Sequence, residues 1–216
     1  MIQKEKKAWD IPNFSQYPLV RLTFIVLLLV AAHIGDALAD SSQDQVTRLI
    51  AAARGQIGVT RYYDPTYTVI AYPGGDVPIE RGVCTDVLIR AYREIGIDLQ
   101  RLVHEDMEAN FAKYPRLWGL SHPDTNIDHR RVPNLMVFFA RKGQSLPVSR
   151  SASDYLPGDI VTWQLPGGVP HIGIVSDTLV DESRYQMIHN IGAGTQCEDC
   201  LFRFKVTGHY RYLVSQ

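Results

Sequence analysis

Apolar residues recur at helical spacing through the first half of the chain. One helix face is formed by residues three or four positions apart, namely Val46, Leu49, Ile50, Ala53 and Ile57. A second apolar stripe runs along residues 84–95 with Cys84 in its first turn, and Gly96 can cap the C-terminus of that helix. Two further helices are predicted at about 104–113 and about 132–142.

The pattern changes in the second half to short β-branched and aromatic runs. These runs are bounded by Gly, Pro or Asp and read GDIVTWQL, HIGIVSD, YQMIHNI and HYRYLVS. They are typical of antiparallel strands. A helical half followed by a meander of strands predicts an α+β domain, in which N-terminal helices pack on a C-terminal antiparallel β-sheet.

The N-terminal segment is interpreted separately from the fold. Arg21 precedes an apolar run from 22 to 32, and the small-residue pattern Ala-Leu-Ala follows at 37–39. The run is shorter than the roughly 20 residues that a membrane span needs. We therefore predict a signal peptide over 1–39, with a retained N-terminal anchor as the alternative, and one domain over 40–216. A cleaved signal implies a periplasmic or secreted bacterial protein.

Composition and charge narrow the classes of partner. The chain is 45% hydrophobic and 21% charged with a formal net charge of -1, which is ordinary for a globular domain. Phosphate binding needs clustered Lys and Arg, so nucleic acid is not expected as a partner. Membrane contact is expected only if the N-terminal segment is retained. No cofactor motif is present, and the pattern leaves the oligomeric state open.

Three cysteines follow the predicted signal peptide, so an exported chain keeps at least one unpaired thiol. Cys197 and Cys200 are close enough to form a short, strained disulfide, or they remain two thiols. Their CxxC spacing is half of a zinc site, but a structural zinc needs four ligands and no second pair accompanies it, so no metal is expected. Cys84 is either a buried core residue or a nucleophile, whose pKa a helix N-terminus lowers.

A nucleophilic thiol needs a general base from elsewhere in the chain. His171 is the best candidate, because it opens the strand HIGIVSD directly after the turn LPGGVP. Taken without the thiol, it would be a strand-end histidine with a backbone partner. His189 or Asn190 could orient its imidazole, and these neighbours face opposite sides of their strand. The period alone does not choose between them.

Several segments resemble known families. LPGDIVTW, HIGIVSD and MIHNIG resemble the second half of the NlpC/P60 superfamily of papain-like cysteine peptidases. The resemblance implies a papain-like fold with Cys84 as nucleophile, His171 as base and His189 or Asn190 as the third residue. Tyr72 in YPGG is similar to a Tyr-Gly-Gly segment of that superfamily, and would assist backbone N–H groups at the oxyanion or pack on the core rim.

A narrower resemblance covers about residues 45–214. RGVCTDVLIRAYR, TNIDHRRVPNL, PGDIVTW, HIGIVSD, HNIG and GHYRY together resemble the DUF1287 family, whose members are bacterial and mostly exported. Thr85 and Asp86 replace the Ser-Gly pair that usually follows the nucleophile in NlpC/P60 proteins, so we expect a difference in substrate binding there. Arg130 and Arg131 are candidates to bind an anionic substrate group, unless the charge run is merely solvated.

Together these resemblances imply an exported, cofactor-free cysteine hydrolase. The expected reaction is amidase or endopeptidase cleavage of peptidoglycan peptides. One alternative is a thiol hydrolase or acyltransferase of the same fold that acts on a lipid or another acyl substrate. The other is a non-catalytic binding module of the cell envelope.

Overall fold

The α-helices lie in the first part of the described residues, as the apolar spacing predicts. The computed structural model describes residues 42–213. Four α-helices are present in that part of the chain: α1 (42–54), α2 (Cys84–Glu94), α3 (Leu99–Asn110) and α4 (Val132–Lys142). None of these helices combines the length and the apolar character that crossing a bilayer requires. The predicted signal peptide lies outside the described residues and stays a prediction.

The strands of the second half form one sheet, and a separate two-stranded ladder lies earlier in the chain. The described residues contain β1 (Tyr62–Tyr63) and β2 (Arg81–Gly82), which make a short parallel ladder. The main sheet has six antiparallel strands: β3 (Gln144–Leu146), β4 (Ile160–Gln164), β5 (Pro170–Leu179), β6 (Tyr185–Asn190), β7 (Thr195–Glu198) and β8 (Lys205–Arg211). Their order across the sheet is β3-β8-β4-β5-β6-β7. The predicted α+β architecture, with helices packed on an antiparallel sheet, is confirmed.

Two predicted helix boundaries are shifted. α1 ends at residue 54, so Ile57 lies beyond the helix whose face it was expected to share, and it is exposed. The third helix begins at Leu99 instead of about 104, because the side chain of Asp98 accepts a hydrogen bond from the backbone N–H of Gln100 and caps the helix. Its C-terminal end continues as a short 3-10 turn over Phe111–Lys113. The apolar stripe alone missed the first turn of this helix.

Strand β5 separates two hydrophobic cores. Ile172 and Ile174 belong to the larger core, which also contains residues from all four helices. Val175 belongs to a smaller core on the other face of the sheet, together with Trp163. Successive side chains of a strand point to opposite faces, so His171 lies on the side of the smaller core, with its ring centroid 5.7 Å from that of Trp163.

Two of the sequence motifs meet in a buried ion-pair network away from Cys84. Asp159 of the PGD turn is fully buried and accepts hydrogen bonds from His209 Nε2 at 2.8 Å and from Arg211 Nε at 2.7 Å. Both partners belong to the GHYRY segment on β8, the strand next to β4. A buried carboxylate is tolerated only when it is paired and hydrogen-bonded. PGD and GHYRY therefore hold the sheet together.

Candidate active site

The N-terminus of α2 presents Cys84 with free backbone donors around it. The first N–H groups of a helix have no partner within the helix. The backbone N–H groups of Ile172 on β5, of Thr85 and of Cys84 itself lie near the Cys84 sulfur and act to lower its pKa. The sulfur is therefore held at the point where α2 meets the start of β5, one residue from His171.

The thiol is buried, and this reverses the effect expected from the helix N-terminus. Cys84 is 4% exposed. Burial raises the pKa of its thiol to about 12, although the three backbone N–H donors oppose that shift. Tyr63 lies beside the sulfur in the same pocket, and burial together with the Cys84 thiol raises the pKa of its hydroxyl. Cys84 is thus a neutral thiol at pH 7 and not a preformed thiolate.

Two histidines and a glutamate form a hydrogen-bonded relay across β5, β6 and β7. His171 Nε2 lies 2.8 Å from His189 Nδ1. His189 Nε2 lies 3.0 Å from Glu198 Oε1. A side chain at Gly173 would approach the Cβ of His189 within 3.1 Å and the ring of Trp163 within 3.2 Å. Glycine in the HIGIV segment therefore allows the two imidazoles to pack together.

The carboxylate at the end of the relay determines where the ring protons lie. Glu198 can only accept, so His189 donates to it from Nε2 and keeps Nδ1 as an acceptor. His171 then donates to that acceptor from Nε2, which leaves its own Nδ1 without a proton. Burial lowers the pKa of His171 to about 3, and it also lowers the pKa of His189 despite the opposing effect of Glu198. Both imidazoles are therefore neutral at rest.

A pocket of about 300 Å³ opens directly onto the thiol. Its lining includes Tyr63, Cys84, Trp118, Arg130, Arg131 and Pro170. The guanidinium of Arg131 lies 4.0 Å from the centroid of the Trp118 ring, a cation-π contact. Trp118 has a left-handed backbone with φ of 65°. The pocket thus offers an apolar wall and the guanidinium of Arg131 beside the Cys84 thiol.

A larger cavity of about 580 Å³ lies between α1 and α2. Its lining contains no cysteine or histidine. Arg90, which forms part of the wall, is already bound to Asp76 by two hydrogen bonds of 2.8 and 3.0 Å. Size alone would favour this cavity, but Cys84 lines the smaller pocket.

Asp86 and Arg130 form a buried pair instead of two substrate contacts, which corrects the expectation for both residues. Arg130 donates to the two carboxylate oxygens of Asp86 at 2.8 and 2.9 Å. Asp86 also accepts the backbone N–H of Val83 at 2.6 Å, and Thr85 Oγ1 donates to the carbonyl of Arg130 at 3.1 Å. Thr85 and Asp86 therefore fasten the DHRR segment to the helix that carries Cys84.

Tyr72 does not lie at the thiol, in contrast to its predicted role. It is 41% exposed, and its ring packs edge-on against His104 of α3 at 5.1 Å. Tyr63 takes the place expected for Tyr72, because β1 pairs with β2 in the register Tyr63 to Gly82, just before Cys84. The dipeptide YY at 62–63 has no sequence pattern that would predict the pairing of β1 with β2.

Asn190 and His189 have separate tasks. The amide of Asn190 donates to the carbonyl of Gly82 at 3.1 Å, so it supports the segment that leads into Cys84. His189 is the neighbour that contacts His171. Glu198 was not among the predicted site residues, since a glutamate on a separate strand has no recognisable spacing from a histidine. Arg131 lines the pocket, and its role in binding an anionic group stays a prediction.

The three cysteines of residues 42–213 are free thiols. Cys197 packs against the larger core, whereas Cys200 belongs to the smaller core on the other face of the sheet. The disulfide suggested by the CxxC spacing is therefore not formed. Cys200 instead places its sulfur 3.3 Å from His189 Nε2.

We expect Cys84 to react slowly with iodoacetamide in the folded protein. Raising the pKa of the thiol from 9.0 to about 12 lowers its thiolate fraction at pH 8 by about a thousandfold. Mass spectrometry of the Cys84 peptide should show labelling slower by about that factor than in urea. The partly exposed Cys197 serves as the internal control. Equal labelling rates for the two thiols in the folded protein would contradict the buried neutral state.

Three comparisons relate the chain to known proteins. The family model described as a domain of unknown function (DUF1287) matches residues 50–212. The uncharacterized protein YijF of Escherichia coli (strain K12) is 58% identical over 162 residues, which cover 75% of this chain and 79% of that protein. Among solved structures, NlpC1 from Trichomonas vaginalis is similar with 19% identity and a TM-score of 0.43. That match covers 78% of this chain and 44% of the solved one, so the chain spans less than half of its length.

Proposed function

The chain belongs to the DUF1287 family, a domain of unknown function, and on that premise we propose that it is a cysteine hydrolase that cleaves amide bonds in peptidoglycan peptides. One observation carries the proposal. A thiol at a helix N-terminus lies against the N–H of Ile172, next in sequence to a histidine whose ring is oriented by a second histidine and a carboxylate. This combination supplies a nucleophile, a base and an orienting group.

The relay supports His171 as the base. Its Nδ1 carries no proton in the tautomer that Glu198 and His189 impose, and we propose that this atom reaches Cys84 from the start of β5 and accepts the thiol proton. The sulfur attacks the amide carbonyl carbon, and His171 then passes the proton to the departing amine. A thioester to Cys84 remains, and water activated by His171 hydrolyses it to a carboxylic acid and the free thiol.

Burial determines the timing of the first proton transfer. Because burial disfavours the charged forms of both Cys84 and His171, a resting thiolate–imidazolium pair is not stable. The thiol proton is transferred as the carbon–sulfur bond forms, and the charge then moves onto the carbonyl oxygen. The site therefore works by general base catalysis on a neutral thiol.

The backbone donors at the start of α2 stabilise that oxyanion. The N–H groups of Cys84 and Thr85 lie near the sulfur and have no helical partner. Each such donor is typically worth roughly 3 to 4 kcal/mol in the transition state. The hydroxyl of Tyr63, which lies beside the thiol, is a third donor at this position.

Arg131 supports an acidic peptide as the substrate. Of the two arginines that line the pocket, Arg131 has the less closely paired charge. Its Nη1 lies 3.7 Å from Asp128 Oδ1. A free carboxylate of a cell-wall peptide would bind this guanidinium, while the apolar wall near Pro170 would contact an aliphatic side chain. The predicted export would place the enzyme in the compartment that contains this substrate.

The proposal is tested by incubating the protein, prepared from residue 40 onward, with purified sacculi. Mass spectrometry should detect new peptide termini with the unmodified sequence and with Cys197→Ala, and none with Cys84→Ala. Sacculi that are bound but left intact would instead indicate a binding module of the cell envelope. Intact, unbound sacculi together with a thioester adduct on Cys84 after incubation with acyl lipids would indicate the lipid-acyl alternative.

A further inference from the structure

Three metal-binding side chains converge where β6 meets β7. Their donor atoms, His189 Nε2, Glu198 Oε1 and Cys200 Sγ, all lie within 4.8 Å of one another. The nitrogen is 3.0 Å from the carboxylate oxygen and 3.3 Å from the sulfur. His189 and Cys200 are buried, and Glu198 is partly exposed. The CxxC spacing did not predict this cluster, because only Cys200 of the two cysteines belongs to it.

We propose that this cluster binds a divalent ion of the zinc class, with water as the fourth ligand. Imidazole, thiolate and carboxylate are the three donor types that Zn²⁺ prefers, and a site with three protein ligands keeps one position open to solvent. Cys200 releases its thiol proton to solvent on binding. The charges of one thiolate and one carboxylate then equal that of the ion, so no net charge is buried.

The observed distances are close to those of a bound ion. Bond lengths of about 2.0 Å to nitrogen and oxygen and about 2.3 Å to sulfur separate tetrahedral ligands by roughly 3.3 to 3.5 Å. The His189 nitrogen needs to move away from the carboxylate oxygen and the sulfur by only a few tenths of an ångström. Glu198 gives the ion a route from solvent, since its second oxygen lies 3.1 Å from Arg203 Nη1 on the surface. Arg203 balances the carboxylate when no ion is bound.

Metal occupancy has a consequence for the relay, and this consequence rests on the proposed function. An ion on His189 Nε2 moves the remaining ring proton to Nδ1, so the hydrogen bond to His171 reverses direction. His171 then accepts at Nε2 and carries its proton on Nδ1, the atom that must take the proton of Cys84. The bound ion therefore inhibits hydrolysis.

The experiment is a titration of the protein with Co²⁺, followed by the near-ultraviolet charge-transfer band of a cobalt–thiolate bond. We expect a band that saturates at one equivalent, is absent in Cys200→Ser and is unchanged in Cys197→Ser and Cys84→Ala. Zn²⁺ should displace the cobalt. Glu198→Gln should weaken Co²⁺ binding by about tenfold or more. This variant tests the site if Cys200→Ser does not fold.

The site is refuted if no band forms, or if Cys197→Ser or Cys84→Ala removes the band while folded Cys200→Ser keeps it. The optical titration does not depend on catalysis, so the two proposals fail separately. A cobalt–thiolate band without cleavage of sacculi would overturn the proposed function alone. Cleavage without the band would overturn the metal site alone, and cleavage that stoichiometric Zn²⁺ leaves unchanged would overturn the inhibition.

Discussion

Asp86→Ala is expected to lower the free energy of unfolding by about 3 to 5 kcal/mol. The substitution leaves Arg130 as a buried cation whose two short hydrogen bonds to the carboxylate are lost. It also removes the acceptor of the Val83 N–H at the start of α2. Domains of this size are stable by only about 5 to 15 kcal/mol, so the variant should be close to unfolding at 37 °C. Urea denaturation followed by circular dichroism measures the difference.

An exposed ion pair provides the matched control for Asp86. Glu105 binds Arg101 one helical turn away on α3, and both side chains are about half exposed. Glu105→Ala should therefore cost less than about 1 kcal/mol. The double variant Asp86→Leu with Arg130→Met removes both charges and should recover most of the stability lost in Asp86→Ala. An Asp86→Ala variant as stable as Glu105→Ala would show that the pair is not a structural requirement.

The local sequence pattern was sufficient to predict most helices and strands and to single out Cys84 and His171 as candidate site residues. Cys84 and His171 could be identified because each occupies the first turn or first residues of an element whose periodicity is readable. Tyr63 and Glu198 could not, because their roles depend on the pairing of β1 with β2 and of β6 with β7. Strand register is determined by tertiary packing, so the residues that pair have no fixed separation along the sequence.

The protonation state of Cys84 shows why position in a helix was a poor guide to chemistry. A helix N-terminus typically favours an anion by about 0.3 to 1 kcal/mol. The rise of the thiol pKa from 9.0 to about 12 corresponds to roughly 4 kcal/mol in the opposite direction. The effect of burial on the thiol pKa therefore exceeds that of the helix N-terminus. The sequence pattern placed Cys84 on the apolar stripe, but it did not show how deeply the surrounding core buries the thiol.

Cys84→Ala and His171→Ala are each expected to reduce the initial rate of fragment release from sacculi by about ten-thousandfold or more. The thiol forms the covalent bond and the imidazole moves the proton, so neither group can act without the other. For this reason the double variant should be no slower than either single variant. The residual rate would come from the backbone donors at the start of α2 and from substrate binding.

Non-additivity separates a catalytic unit from two independent structural defects. Two unrelated losses of stability or binding would multiply, and the double variant would then be slower than both single variants by the product of their effects. His122→Ala and Cys197→Ala remove the same side-chain types outside the site and should keep the unmodified rate. Thermal unfolding monitored for every variant confirms that the domain is folded. If His171→Ala retained most of the rate while Cys84→Ala lost it, the base would have to be another group and the relay to Glu198 would have no catalytic role.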